Sequence, residues 1–201
     1  MIDAPGVRPT PDRVRETVFN WLTHLFGGSL AELRVLDPFA GSGAMGFEAA
    51  SRGAGRVVLA DNHPQIVRNL RTMRDKLEAG AIDVRQGDAL AVLDGLAAAG
   101  ERFDLVFLDP PYGQGWLERC LPRVKSLLAE EGCVYAESEL PLTGEAGAAG
   151  ASAPADGAAG LNALVAELGM EVVRADKAGQ VFYHLLRCKN PAPILAPVSA
   201  A

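Results

Sequence analysis

Residues 35–50 read VLDPFAGSGAMGFEAA. A short apolar run ends at Asp37, a loop of small residues follows, and from Ala44 to Ala50 apolar residues return at helical spacing. Gly41, Gly43 and Gly46 fit G-x-G-x-x-G, in which glycines permit a tight turn, close approach of backbone to a ligand, and close packing of a helix on a strand. Strand, glycine loop and helix in this order are the opening of a nucleotide-binding α/β unit. Asp61 stands twenty residues beyond Gly41, at the end of the next apolar run, where an acid can accept ribose hydroxyls.

Outward from this stretch the periodicity keeps alternating between strand and helix, the mark of a layered α/β domain with a mostly parallel sheet. Strands are expected near Leu33–Asp37, Arg56–Asp61, Ala81–Arg85, Phe103–Asp109 and Cys133–Glu137, with helices near Ala44–Ser51, Pro64–Leu77, Ala89–Ala98 and Trp116–Ala129. Before them, Thr10 can cap a helix that starts at Pro11, carries Val14, Val18, Trp21, Leu22 and Leu25 on one stripe, and stops at Gly27-Gly28. Glu171 to Arg187 reads as two strands around a Lys177-Ala178-Gly179 turn, an antiparallel hairpin at one side of the sheet.

The 201 residues, 49% of them hydrophobic, suit one domain over 1–189, with an N-terminal helix segment at 8–26. Residues 144–160 reduce to Ala, Gly, Ser, Pro and few acids and are expected to be a flexible insertion; 190–201 are expected to be a disordered tail. No apolar run reaches the roughly 20 residues of a membrane span, and no signal pattern opens the chain. A cytoplasmic monomer is expected. Cys120, Cys133 and Cys188 are odd in number and scattered, and His24, His63 and His184 are isolated, so neither a disulfide framework nor a metal site is indicated. The net charge of −6 argues against a protein that coats nucleic acid along a broad surface, though not against a local basic contact. Arg68, Arg71, Arg74 and Lys76 read best as a solvated helix face.

Asp37 narrows the ligand. A carboxylate just before the glycine loop repels a pyrophosphate and attracts a ligand with an ammonium and a positive centre. S-adenosylmethionine fits that description better than a nicotinamide dinucleotide. Phe39, Gly41, Ser42 and Gly43 would then line the methionine portion, Asp61 and Asn62 the ribose, and Asp88 and Ala89 the adenine, with Asp88 also suited to cap a helix.

The second decisive stretch, LVFLDPPYGQGW at Leu105–Trp116, ends an apolar strand in Asp109-Pro110-Pro111-Tyr112. Ligands of an open parallel sheet sit beyond the carboxyl ends of its strands, so Asp37, Asp61, Asp88 and Asp109 should share one rim. The prolines fix φ and remove two amide donors. What remains are acceptors, the Asp109 carboxylate and the Pro110 carbonyl, suited to the two N–H bonds of an exocyclic amine, with Tyr112 as a stacking face. Held this way, the amine lone pair can be aimed at a sulfonium methyl, with no metal and no covalent enzyme intermediate.

DPPY occurs in amino-group methyltransferases acting on nucleic-acid bases or protein amides. Together with RPTPDRVRETVFNWL (Arg8–Leu22), DPFAGSGAMGFEA (Asp37–Ala49), YAESE (Tyr135–Glu139) and KAGQVFYHLLR (Lys177–Arg187), the sequence resembles the RsmD family of bacterial 16S rRNA guanine-N2 methyltransferases. The resemblance implies a Rossmann-like class I methyltransferase: a mostly parallel seven-stranded sheet with a C-terminal antiparallel hairpin and helices on both faces. It further implies S-adenosylmethionine as donor and one guanine of 16S rRNA as substrate, presented within an assembling small ribosomal subunit. Asp109, Pro110 and Tyr112 would be catalytic, and Arg8, Thr10, Arg13 and Arg15 would lie over the site and touch RNA. Relatives carry a basic strand-forming segment before the first helix; here Met1-Ile2-Asp3 opens the sequence, so either the start is truncated or RNA is held differently. Two other readings stay open from the residues: an amino-methyltransferase for adenine N6 of DNA or a glutamine amide, and a non-catalytic nucleotide-binding domain.

Overall fold

A computed structural model describes residues 12–142 and 156–189. Their elements run α1 (Asp12–Leu25), β1 (Arg34–Asp37), α2 (Ala44–Ser51), β2 (Arg56–Asp61), α3 (Pro64–Lys76), β3 (Ile82–Gln86), α4 (Ala89–Ala98), β4 (Phe103–Leu108), α5 (Trp116–Leu127), β5 (Leu128–Ser138), α6 (Asp156–Glu167), β6 (Met170–Ala178) and β7 (Val181–Cys188). The strands form one sheet in the order β3-β2-β1-β4-β5-β7-β6. Every pairing from β3 to β5 is parallel, and β7 runs antiparallel to both β5 and β6. The fold is Rossmann-like α/β. From β1 the chain winds outward through β2 to β3, then returns through α4 to place β4 on the other side of β1. The boundary between β1 and β4 is therefore the switch point at which open α/β sheets bind ligands.

Alternation along each strand sends neighbouring side chains to opposite faces. Val35, Val57, Leu59, Leu105, Phe107 and Tyr135 meet α1, α2 and α3 through Val14, Val18, Phe19, Leu22, Met45, Ala49, Val67 and Leu70. Leu36, Val58, Val106, Leu108, Val134 and Ala136 meet α4, α5 and α6 through Leu93, Leu96, Cys120, Leu121, Val124, Leu161 and Val165. The central strands are apolar on both faces because both are covered. The stripe expected for the first helix packs on the sheet, and Phe19, which that reading left out, is buried with it: Phe19 lies 6.0 Å from Phe107, and Trp21 stacks on Tyr183 at 5.4 Å. Gly27 and Gly28 end that helix at positive φ, with the Gly28 amide donating to the Thr23 carbonyl at 2.7 Å. Thr10 and Pro11, the expected cap and first residue, lie outside the described residues.

Three expectations need correction. Ala178 pairs with Val181, so the hairpin turns on Gly179-Gln180 rather than on Lys177-Ala178-Gly179. Gly179 takes φ 63° at the first turn position, as a tight two-residue turn requires. The fifth strand begins at Leu128, five residues before Cys133, because its first part pairs with Phe103 ahead of a register shift. Residues 156–160, read as flexible, open α6, which buries Leu161 and Val165 against the second face. Local composition concealed that helix; the apolar residues that anchor it come one turn later. Residues 143–155 and 190–201 lie outside the described residues.

Candidate active site

The glycine loop is built around Asp37 and Asp61. Asp37 ends β1 nearly buried, at 4% exposure, and its carboxylate accepts from the Phe39 amide. Asp61 ends β2 and receives the Gly41 amide on Oδ2 at 3.1 Å and the His63 amide on Oδ1 at 2.8 Å. The acid read as a ribose partner therefore also holds the loop against the end of its own strand. Two glycines of the motif, the α2 cap Gly43 and Gly46 inside α2, are closely packed. A Cβ on Gly43, which caps α2 at φ 77°, would come within 2.6 Å of Leu70, and one on Gly46 within 2.1 Å of Leu59. Ser42 and Asn62 are exposed around this loop, and Gly41 is partly exposed.

The other proposed cofactor positions separate. Asp88 caps α4, with Oδ1 accepting from the Leu90 and Ala91 amides at 3.0 and 3.3 Å. Ala89 turns its side chain into the core at 4% exposure, so only its backbone can face a ligand. Phe39 packs edge-on against Trp116 at 5.3 Å, tying the glycine loop to the start of α5.

Asp109 follows β4 directly, across the switch point from Asp37. Pro110 is buried, Pro111 is exposed, and Tyr112 keeps 39% of its surface in solvent. Gly113 and Gly115, at φ 72° and 61°, turn the chain into α5, and the Gly113 amide donates to Glu139 Oε2 at 3.0 Å. A cavity of about 210 Å³ opens here between Pro110, Tyr112, Trp116, Glu137, Glu139 and Leu140. A shallower depression of about 480 Å³, lined by Arg74, Asp75, Glu78 and Ile82, lies at the opposite end of the sheet, away from all four aspartates.

Sequence reasoning assigned no role to two residues that complete this rim. Glu137, near the end of β5, is only 6% exposed; it accepts the Tyr135 hydroxyl on Oε1 at 2.7 Å and stands beside Asp109, next to the Leu108–Ala136 pair. Glu139 fixes the loop after Tyr112. Their signal was topological: an acid at the end of a fifth parallel strand belongs to the rim that collects Asp37, Asp61 and Asp109. Desolvation, then the charges of Glu137 and Asp37, push the Asp109 carboxyl up to about 8. Desolvation raises Asp37 to about 7, against the Phe39 hydrogen bond and with help from the Asp61 charge. Burial and neighbouring acids thus act on Asp37 and Asp109 in the same upward direction.

Of the basic positions, Arg8 and Thr10 lie outside the described residues. Arg13 is exposed, and Arg15 pairs with Asp12 at 3.0 Å. The Arg13 guanidinium and the Thr17 hydroxyl act on Tyr183, which sits opposite Glu137 in the β5–β7 register. On α3, Arg68 bonds Gln65, Arg71 reaches the Val84 carbonyl and Arg74 pairs with Asp75, as a solvated face would.

The comparisons bear on this geometry. The family model described as "Conserved hypothetical protein 95" matches residues 1–151. Ribosomal RNA small subunit methyltransferase D of Escherichia coli K12 is 40% identical over 144 residues, covering 69% of this chain and 67% of the relative. The chain belongs to the RsmD family. Membership extends to more distant relatives: the protein of the same name from Haemophilus influenzae is 35% identical over 147 residues, 69% of this chain and 72% of its own length. Among solved structures, yhhF of Escherichia coli superposes with a TM-score of 0.68 at 31% identity, over 94% of this chain and 92% of that one. In this RsmD-family chain the two conspicuous stretches, the glycine loop and DPPY, follow the adjacent strands β1 and β4. The chain is a methyltransferase.

Proposed function

We propose that this RsmD-family chain transfers a methyl group from S-adenosylmethionine to the exocyclic N2 amine of one guanine of 16S rRNA, presented within an assembling small ribosomal subunit. The observation that carries the reading is the convergence of Asp109 and the buried Asp37 on either side of the β1/β4 switch point, with acidic neighbours around both. An acid-lined rim suits a ligand that is cationic and free of phosphate. The names of the relatives in Escherichia coli and Haemophilus influenzae support ribosomal RNA as substrate.

The residues present fit the donor. Asp37 would attract its ammonium, the amides of the Gly41–Gly43 loop its carboxylate, Asp61 and Asn62 its ribose, and Asp88 with the Ala89 backbone its adenine. When bound, the donor supplies an electrophilic methyl on a sulfonium. On the substrate side, Asp109 and the Pro110 carbonyl would hold the two N–H bonds of guanine N2, turning the nitrogen lone pair outward, while Tyr112 stacks on the base. The proton lost by nitrogen passes to the Asp109 carboxylate and then to water. Positive charge seated on this rim favours the ionised carboxylate, offsetting the upward pressure from Glu137 and Asp37. Arg8, Thr10, Arg13 and Arg15 would contact RNA at the N-terminal side of α1.

The test offers labelled donor and purified protein to small-subunit particles, and separately to naked 16S rRNA, from cells lacking the protein. Label recovered as N2-methylguanine in 16S rRNA is the expected result. Label found only in DNA or in a glutamine side chain would transfer the same chemistry to another amine. No donor binding at all would leave a nucleotide-binding domain without this activity.

A further inference from the structure

Three acidic side chains meet at the ends of three adjacent strands, and only Asp37 and Asp109 have roles above. Glu137 has no solvent-facing reason to be where it is. It is 6% exposed, its Oε1 receives a buried tyrosine hydroxyl at 2.7 Å, and the Leu108–Ala136 pairing of β4 with β5 sets it beside Asp109, one residue further along each strand. A buried acid costs stability unless its hydrogen bonds are satisfied. Here the partners are Tyr135, itself fully buried, and the carboxyl proposed to hold the substrate amine. Two carboxyls set side by side out of water favour holding one proton between them, since two ionised groups repel and neither has a proton to donate.

We propose that Glu137 is a positioning residue for methyl transfer: clamped by the Tyr135 hydroxyl, it fixes the orientation of the Asp109 carboxyl and shares one proton with it. The inference rests on the function proposed above and adds a residue to that site. Without donor the shared proton rests on Asp109, which the Glu137 charge raises; a cation seated beside Asp37 and Asp109 favours passing that proton to Glu137, whose O–H then donates to one Asp109 oxygen and leaves the other to accept from the substrate amine. When the nitrogen forms its bond to the methyl carbon and the carbon–sulfur pair returns to sulfur, the surplus N–H proton moves to that second Asp109 oxygen. Rotation of Asp109 is restricted throughout because the Glu137 hydrogen bond holds its far side. The charged or titratable groups around this pair are Asp37 from β1, Tyr135 from β5 and, beyond Tyr135, Tyr183 from β7, while Asp61 from β2 acts on Asp37. The acidic neighbours keep a proton in the pair at neutral pH.

The decisive measurement uses the full chain without ligand. Carbon-13 NMR of aspartate side-chain carboxyls, assigned for Asp109 with Asp109→Asn, follows its titration between pH 5 and pH 9 in wild type and in Glu137→Gln. Removing the ionisable partner should shift the Asp109 midpoint down by at least about one pH unit. Steady-state assays then separate positioning from bulk structure. Glu137→Gln retains an N–H donor toward Asp109 and should keep kcat within about threefold above pH 8, whereas Glu137→Ala should lose about tenfold or more in kcat with little change in donor KM. Tyr135→Phe, which removes one hydroxyl from a buried ring, should fall between them. An Asp109 midpoint identical in wild type and Glu137→Gln overturns the proposal, as does full kcat in Glu137→Ala. If Glu137→Ala does not fold, the near-isosteric Gln variant still decides through its titration. If the wild-type protein methylates nothing, the proposed function fails, yet the NMR arm still tests whether Glu137 and Asp109 share a proton.

Discussion

The two ends of the sheet carry acids to opposite effect. At the amino ends of the strands, Asp104 receives the Arg34 amide at 2.8 Å and its guanidinium at 3.1 Å, and Glu101 binds the Arg56 guanidinium at 2.6 and 2.9 Å. Desolvation pushes Asp104 up, but the Arg34 hydrogen bonds outweigh it and hold the carboxyl below its ordinary range; Arg56 does the same for Glu101. At the carboxyl ends, the charges acting on Asp37 and Asp109 are other acids, and both carboxyls are raised. Matched pairs stabilise a fold. An acidic cluster whose members raise one another disfavours the ionised folded state, and such strain is expected where a cationic ligand completes the set.

The largest expected effect breaks the functional end. Asp109→Ala should lower kcat about 100-fold or more while donor affinity stays within a few-fold, measured by single-turnover transfer and calorimetry. A near-normal rate would remove Asp109 from the chemistry. Asp37→Ala should instead weaken donor binding about tenfold or more, since it deletes the buried charge opposite the ammonium; unchanged affinity would reassign that residue to loop structure alone. At the paired end the expected change is in stability only. Asp104→Ala should destabilise the fold by about 1–2 kcal/mol in urea unfolding, a modest figure because Arg34 is 43% exposed, with kcat unaltered at temperatures where the variant is folded. Loss of activity without loss of stability would contradict the division between the two ends.

The smallest effect is a slope with pH. Asp37 and Asp109 have folded values near 7 and 8, above the 3.8 of an unperturbed aspartate, so their folded forms keep protons that the unfolded chain has released. That contribution is fully present below about pH 4 and is lost as pH rises through 7 to 8. Asp104 and Glu101 behave oppositely: their lowered values contribute stability above the ordinary carboxyl range, and it is lost as pH falls through their folded values. Asp109→Asn, an uncharged isostere, should therefore gain about 1 kcal/mol or more on wild type at pH 8 relative to pH 5 in denaturant titrations. Parallel curves would show that the acidic rim carries no such strain.

Much of this architecture was legible in the chain. Strands ending near Asp37, Asp61, Arg85 and Asp109, each within a residue of the observed end, and helices opened by Ala44, Pro64, Ala89 and Trp116 follow from periodicity because both faces of the sheet are covered and the breaks around them fall at a Gly, Pro or Asp, the passage from α5 into β5 excepted. Hidden from that reading were α6, whose first turn reads DGAAG, and the early start of β5, which depends on a bulged pairing with Phe103. Both are fixed by contacts remote in sequence. Glu137 escaped for a related reason: YAESE alternates like any strand, and nothing local distinguishes a surface glutamate from one held between Tyr135 and Asp109.

What the sequence alone determined is the order of strands and helices, and with it the rule that acids at strand ends gather on one rim, because backbone geometry and hydrophobic period act over neighbouring residues. Only the tertiary structure decided which of those acids become partners. The crossover that sets β4 between β1 and β5 brings Asp109 beside both Asp37 and Glu137, and burial there strengthens their mutual effect by excluding the water that would otherwise screen it.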